Sequence, residues 1–526
     1  MEVPWTTALV VAPLAAAAVT YAVGRWRGDG SAERAALLVS LAPLALSLYV
    51  WLAKFEADGN ALLDASNVAL GEVAPWFDLA GIEARYLVGL DGVSMPLVVL
   101  SAFLTTVAIA SAPRAITRAR KEFYALVLGL EAGLIGVFVA LDFMLFFVFW
   151  EAVLLPMYFL IAFWGSERSR YAAMKFLVYT NVASLALFVA AVALYFNSGV
   201  TSFSMIELTH AVHSGWLDGY FGVSGEHLAL AAFAVTFVGF AVKVPVVPFH
   251  TWLPDAHVEA PTPVSVLLAG VLLKMGGYGL LRFNFTVLAE SAVALALPVA
   301  ALAVVSVVYG ALLAMAQTDL KRIVAYSSIS SMGYVTLGLV AYTEFALGGA
   351  TFQMISHGLI SGLMFMVVGA VYAETGLRDV RELSGLWRSM PVLTGVTLVA
   401  AFAYMGLPGT SGFAAEVLVF LGSMASDVVP YAPLVTALAM FGVVLVAGYL
   451  LFALQRVFYG ELRLGSAAAA DGGRPRVADV SFRQAAPLLV VLAAILLLGV
   501  QPDVVYDAIG SSTADVVDVV AGGEFG

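Results

Sequence analysis

Apolar runs of about 20 residues recur from one end of this 526-residue sequence to the other, separated by polar stretches too short to fold alone. A run of that length lets a helix cross the hydrocarbon core of a bilayer, and a helix satisfies its own backbone hydrogen bonds there. The chain therefore reads as an all-α polytopic membrane protein of about 14 transmembrane helices, one membrane domain over residues 1–526. Composition supports this: 62% of residues are hydrophobic, 12% are charged and the mean hydropathy is +0.97, far outside the range of soluble globular proteins.

The spans are expected near 3–24, 34–53, 88–111, 122–140, 142–164, 171–195, 229–247, 261–282, 290–315, 322–342, 345–372, 391–425, 432–457 and 485–501. The first lacks a cleavage pattern and reads as a span, not a secretory signal. Positive charge gathers in alternate loops: Arg25, Arg27 and Arg34; Arg114, Arg118, Arg120 and Lys121; Arg168 and Arg170; Lys321 and Arg322; Arg378, Arg381 and Arg388; then Arg456, Arg463, Arg474, Arg476 and Arg483. The intervening segments are acidic: Glu56, Asp58, Asp64, Glu72, Asp78 and Glu83, then Glu207, Asp218 and Glu226, then a tail with Asp503, Asp507, Asp515, Asp518 and Glu524. By the positive-inside rule both termini lie outside. The stretch from Gly460 to Ala485, rich in Gly, Ala and Arg, reads as an inside tether to the last helix.

Two spans are interrupted. The seventh breaks at KVPVVP, through Pro245 and Pro248, and the twelfth at GLPGTSG, through Pro408. The breaks are five spans apart, so residues 122–282 and 290–457 form two five-helix units after an N-terminal group at 1–121, with 458–526 supplying the linker, last helix and acidic outside tail. An odd number of helices sends the second unit in from the opposite side, giving inverted repeats with one broken helix each, a pattern of ion-translocating folds.

Ionisable groups at membrane depth are functional candidates because each costs a few kcal/mol unless paired or hydrated. Glu151 has about nine apolar residues on either side and must be neutral or paired. Lys243 precedes the first break and Lys274 lies in the next apolar run; a desolvated lysine can exchange its proton near neutrality. His357, among Gln353, Ser356 and Ser361, has a side chain suited to proton relay. Glu416 follows the second break as Lys243 marks the first. Glu131 and Asp142 are weaker candidates, Asp142 equally readable as a helix cap. His250 and His257 flank Asp255 in a proline-rich elbow that reads as a structured turn near the inner mouth, not as a metal site.

Several chemistries are excluded. There is no cysteine, hence no iron–sulfur ligation or disulfide within this chain. No phosphate loop or dinucleotide fingerprint occurs, and a formal charge of −11 argues against nucleic-acid binding. Energy for uphill transport must come from a partner or from another ion gradient.

FFVFWEAVLLPMYFLIAFWG, VKVPVVPFHTWLPDAHVEAPTPVSVLLAGVLLKMGGYGLLRF, MAQTDLKRIVAYSSISSMGYV and GLPGTSGFAAE together resemble the antiporter-like, proton-translocating subunits of NADH–quinone oxidoreductase, respiratory complex I. The likeness covers about spans three to thirteen. It implies a fourteen-helix antiporter-like fold with Glu151 and Lys243 as a modulating pair, Lys274 and His357 as the central relay and Glu416 as the terminal group. It also implies a prokaryotic plasma membrane, sibling L- and N-type subunits as partners, and iron–sulfur clusters and quinone in partner subunits, with no cofactor or redox catalysis in this chain. Glutamate at position 416 resembles the M type (chain 4), since L and N types and antiporter subunits usually carry lysine there. The alternative is a subunit of a multisubunit sodium/proton antiporter. Sodium is normally coordinated by several oxygens, and a relay made mostly of nitrogen favours protons.

Overall fold

Thirteen helices among the described residues are long and apolar enough to cross a membrane, and two half-length apolar helices make up the expected twelfth span. The computed structural model describes residues 3–56, 59–113, 115–219, 223–464 and 477–522. Arg114, Arg474 and Arg476 of the basic loops, Asp58 and Glu524 of the acidic ones, and the centre of the expected tether lie outside the described residues. In chain order the helices are α1 (Trp5–Arg27), α2 (Asp29–Ala53), α3 (Ser94–Ser111), α4 (Arg120–Val139), α5 (Phe143–Trp164) and α6 (Ser169–Asn197). There follow the short α7 (Met205–His213), then α8 (Gly225–Lys243), the short α9 (Trp252–Glu259), α10 (Thr262–Val287), α11 (Ala296–Met315), α12 (Leu320–Val340) and α13 (Glu344–Thr375). The set closes with the half helices α14 (Pro391–Tyr404) and α15 (Ser411–Met424), then α16 (Ala432–Phe458), α17 (Phe482–Val500) and α18 (Asp503–Val520).

The core lies in the second half of this order. Helix α10 is wholly buried, α12 and α13 are almost wholly so, and α1, α2 and α17 keep most of their surface free. Lys274 and His357 therefore stand on two of the most enclosed helices of the bundle, where a charged group has no access to bulk water.

Both expected breaks are present, and several freed backbone groups near the first have partners. Pro245 has no N–H to offer Ala241, whose carbonyl is taken instead by the N–H of Val246 at 2.9 Å. The Trp252 indole caps the Val242 carbonyl at 2.8 Å, and the Val247 N–H reaches Ser306 Oγ at 3.0 Å. Each unsatisfied group would cost several kcal/mol at this depth, so the break is held by identifiable bonds. In the second break, Gly406 and Gly409 on either side of Pro408 have φ of 66° and 87°, values that favour glycine.

Three features depart from the sequence reading. Residues 69–90, expected to be loop and the start of a span, form an antiparallel hairpin of β1 (Ala69–Leu79) and β2 (Ile82–Leu90), and the third span begins only at Ser94. The acidic tail is the helix α18, whose Asp515 accepts the Asn60 N–H at 2.7 Å and whose Ser512 carbonyl accepts from Asn60 Nδ2 at 3.0 Å. Helix α10 contains two π-helical stretches, Leu268–Leu272 and Leu280–Val287. Such stretches leave no signature in hydrophobic periodicity and occur frequently at functional sites.

Candidate functional site

Lys274 follows the first π-helical stretch, and its ammonium nitrogen folds back on the carbonyl of Ala269 at 2.6 Å. The same nitrogen lies 2.6 Å from Nδ1 of His357 on α13. Neither residue is more than 2% exposed. The approach of the two helices depends on glycine: a Cβ at Gly358 would lie 2.7 Å from the carbonyl oxygen of Gly270, a backbone atom with no freedom to withdraw.

From His357 the polar chain continues. Its Nε2 is 3.2 Å from the hydroxyl of Tyr404, the last residue of α14 before the break. The Tyr404 hydroxyl is 3.4 Å from Ser328 Oγ on α12, which is 3.1 Å from Ser361 Oγ on α13. Beside His357, Ser356 donates to Ser411, the first residue of α15, at 2.9 Å. The two halves of the broken span are thus both hydrogen-bonded to α13 at the histidine. Glu416 is 7% exposed, and its carboxylate lies against Gly406 in the break.

Lys243 ends α8 and is 1% exposed. Its nitrogen sits 4.6 Å from the centre of the Trp150 ring and has no hydrogen-bond partner among the described residues. A desolvated cation on a tryptophan face is worth about 2 kcal/mol. Glu151, the next residue after Trp150, is its electrostatic neighbour, and one Glu151 carboxylate oxygen is also buried without a partner. The two meet through space with no contact ion pair. Helices α8 and α10, which carry Lys243 and Lys274, approach closely at Gly276, where a Cβ would lie 2.8 Å from the Val244 nitrogen and 3.0 Å from Lys243 Cβ.

The weaker candidates separate. Both carboxylate oxygens of Glu131 are buried without a hydrogen-bond partner among the described residues. Asp142 is an N-cap, accepting from the N–H groups of Met144 and Leu145 at 2.9 and 3.1 Å and from Arg85 N–H at 3.0 Å. Asp255 pairs with Lys175 at 2.7 Å and Arg322 at 3.5 Å. His250 packs edge-on to Tyr309. His257 is fully buried and stacked on Phe365 with ring centres 4.4 Å apart, and burial together with the nearby Lys321 and Lys274 charges holds its imidazole well below the ordinary histidine range.

Sequence reasoning missed several participants. Tyr404 and Ser328 sit in apolar runs where only tertiary contact reveals them, and Ser361 stood out only as a polar neighbour of His357. Lys321 was counted as a loop charge, but it is 6% exposed and its ammonium donates to the carbonyl of Ala260. Arg282 and Asp91, both fully buried, form an ion pair at 2.6 Å between positions 191 residues apart.

The model of the membrane family described as "NADH:quinone oxidoreductase/Mrp antiporter, TM" matches residues 140–444, which contain every group of the polar chain described above. The chain belongs to that family. A NADH-quinone oxidoreductase subunit M from Rhodobacter capsulatus is 41% identical over 510 residues, covering 96% of this chain and 94% of the relative. A chain 4 of NAD(P)H-quinone oxidoreductase from Synechococcus elongatus is 40% identical, covering 93% and 88%. Among solved structures, a chain of respiratory complex I from Thermus thermophilus superposes with a TM-score of 0.84 at 27% identity over 98% of this chain and 99% of that one. A chain of the Mrp complex from Dietzia sp. has the same fold, with a TM-score of 0.78 at 22% identity over 98% of each. In this antiporter-type membrane subunit the family match begins just past the end of α4 and closes within α16, leaving α1–α4, the hairpin and α17–α18 outside the matched region.

Proposed function

We propose that the chain is the proton-translocating membrane subunit of a complex I-type quinone oxidoreductase, moving protons outward while electrons pass through other subunits. The observation that carries this reading is the contact between Lys274 and His357 in the closed centre of the bundle, continued by hydroxyl groups towards the second broken span. At its centre such a chain presents the nitrogens of Lys274 and His357, which hold a proton and do not coordinate sodium, and the chain has no cysteine or nucleotide motif with which to conduct redox chemistry itself.

In the cycle, Lys243 takes a proton from the inside. A change in the attraction between Lys243 and Glu151 then alters where that charge is most stable, because a buried cation is held by whatever counter-charge and ring face it can reach. The proton passes to Lys274 and His357 and leaves outward by way of Glu416. The two broken helices belong to inverted five-helix units, so that one break serves each half of the path. Iron–sulfur clusters and quinone reside in partner subunits, with L- and N-type siblings alongside in a prokaryotic plasma membrane and both termini outside.

Two measurements test this. In mild detergent the chain is expected to migrate on a native gel with iron–sulfur and quinone-binding subunits and with quinone-reducing activity; migration with small membrane proteins alone, and no redox activity, would assign it to a sodium/proton antiporter. Lys243→Ala in the assembled complex is expected to abolish redox-driven proton pumping, and full pumping by that variant would remove Lys243 from the path.

A further inference from the structure

A tyrosine buried in an apolar bundle needs a partner for its hydroxyl, and a single backbone carbonyl is usually enough. Tyr342 and Tyr195 are of that kind, donating to the carbonyls of Phe285 and Phe203 at 2.8 and 2.9 Å. Tyr404 is different. Its hydroxyl has a titratable nitrogen on one side, His357 Nε2, and a cluster of hydroxyls on the other, with Ser328, Ser331 and Ser361 around it. It is 5% exposed and stands at the end of α14, two residues before Gly406, against which the Glu416 carboxylate rests.

We infer that the Tyr404 hydroxyl is a member of the proton path, carrying the proton from His357 to the serine cluster at the second broken span. This deepens the proposed function and rests on it. A protonated Lys274 gives its proton to His357 Nδ1, and the Nε2–H of His357 is given to the Tyr404 oxygen. As that bond forms, the hydroxyl's own O–H breaks and its proton goes to Ser328 Oγ, Ser328 gives its own proton to Ser361 Oγ, and Ser361 gives up its own to the outward limb that ends at Glu416. Each oxygen gains one proton and loses one, so no phenolate is formed and no charge is left behind on Tyr404. The geometry suits this because a hydroxyl offers one donor and two acceptor positions, and here acceptor and donor sides face different helices. The same geometry gives the second break a purpose: α14 ends where its last side chain can reach across to α13 and α12.

The test is Tyr404→Phe in the whole complex, in native membrane vesicles, with acidification driven by NADH and a short-chain quinone and followed in H2O and in D2O. Loss of one oxygen with the ring retained is expected to slow pumping at least about tenfold and to raise the H2O/D2O rate ratio, because water must then bridge His357 and Ser328; a merely packed tyrosine would leave that ratio unchanged. His357→Ala is run beside it. If His357→Ala abolishes pumping and Tyr404→Phe matches the wild type in rate and isotope ratio, Tyr404 is outside the path and the relay stands. If His357→Ala pumps normally, the relay falls and the role of Tyr404 with it. Should Tyr404→Phe fail to assemble, 3,5-difluorotyrosine at position 404 keeps the shape and makes the hydroxyl a stronger acid. The alkaline limb of pumping against pH is then expected to move to lower pH, and an unmoved limb would overturn the inference.

Discussion

Lys274 Nζ and His357 Nδ1 lie 2.6 Å apart with both side chains buried, so one hydrogen is shared between an amine and an imidazole. Two full positive charges at that distance in a low-dielectric interior would repel strongly. The pair therefore behaves as a single proton-holding unit whose second nitrogen on the imidazole faces onward to Tyr404.

A unit of that kind responds to mutation as a unit. Lys274→Met and His357→Leu are each expected to stop redox-driven pumping in vesicles, and the double variant to be no worse than the more damaging single one, because both remove the same step. Pumping losses that multiply in the double variant would mean that the two residues serve separate steps.

How much of this was readable beforehand depends on the range over which each feature is encoded. The spans were legible because about 20 consecutive apolar residues have few alternatives, and the two breaks because Pro245, Pro248 and Pro408 remove donors at known positions. Lys243, Lys274 and His357 stood out as polar residues in apolar surroundings. The hairpin did not, since Pro75 and the acidic residues of Ala69–Leu79 weaken a strand pattern, although Gly81 at the turn with φ of 88° is a local signal that could have marked it. Tyr404 was invisible for another reason. A tyrosine near a helix end reads as an interfacial aromatic, and its role appears only when α12, α13 and α14 converge. Arg282, at the end of the expected eighth span, is likewise distinguished only by its tertiary contact with Asp91.

That ion pair is the basis of a stability prediction. Arg282 and Asp91 are fully buried at 2.6 Å, and Asp91 also accepts the N–H groups of Ala61, Val93 and Ser94 at 3.0–3.1 Å. Breaking a buried pair leaves one charge uncompensated and costs about 3–5 kcal/mol, whereas removing both charges together costs far less. Asp91→Ala is expected to lower the thermal inactivation temperature of the solubilised complex markedly, and Asp91→Leu combined with Arg282→Met to recover most of the loss. The Asn60 contacts to α18 adjoin this pair, since Arg282 is 3.4 Å from Asn60 Oδ1, so Asp91→Ala is also expected to make α18 more sensitive to protease. Unchanged stability in Asp91→Ala would show that the pair is not a fastening.

Asp142 yields the pH dependence. Burial pushes its carboxyl up to about 6, against the opposing pull of the N–H groups of Arg85, Leu145 and Met144, while an unfolded aspartate titrates near 4. Between about pH 4 and 6 the folded protein therefore binds more protons at this site than the unfolded chain does, so stability falls as pH rises through that window and stays lower above it. Asp142→Asn keeps a carbonyl oxygen to accept from Met144 and Leu145 and cannot ionise. The variant is expected to lack this downward slope and to exceed the wild type above about pH 6, by as much as about 2–3 kcal/mol. Thermal inactivation of the solubilised complex measured from pH 4 to pH 8 reads this directly. A variant that retains the wild-type slope would assign the titration to another group, and one that loses stability at every pH would show that the cap needs its negative charge to hold the start of α5.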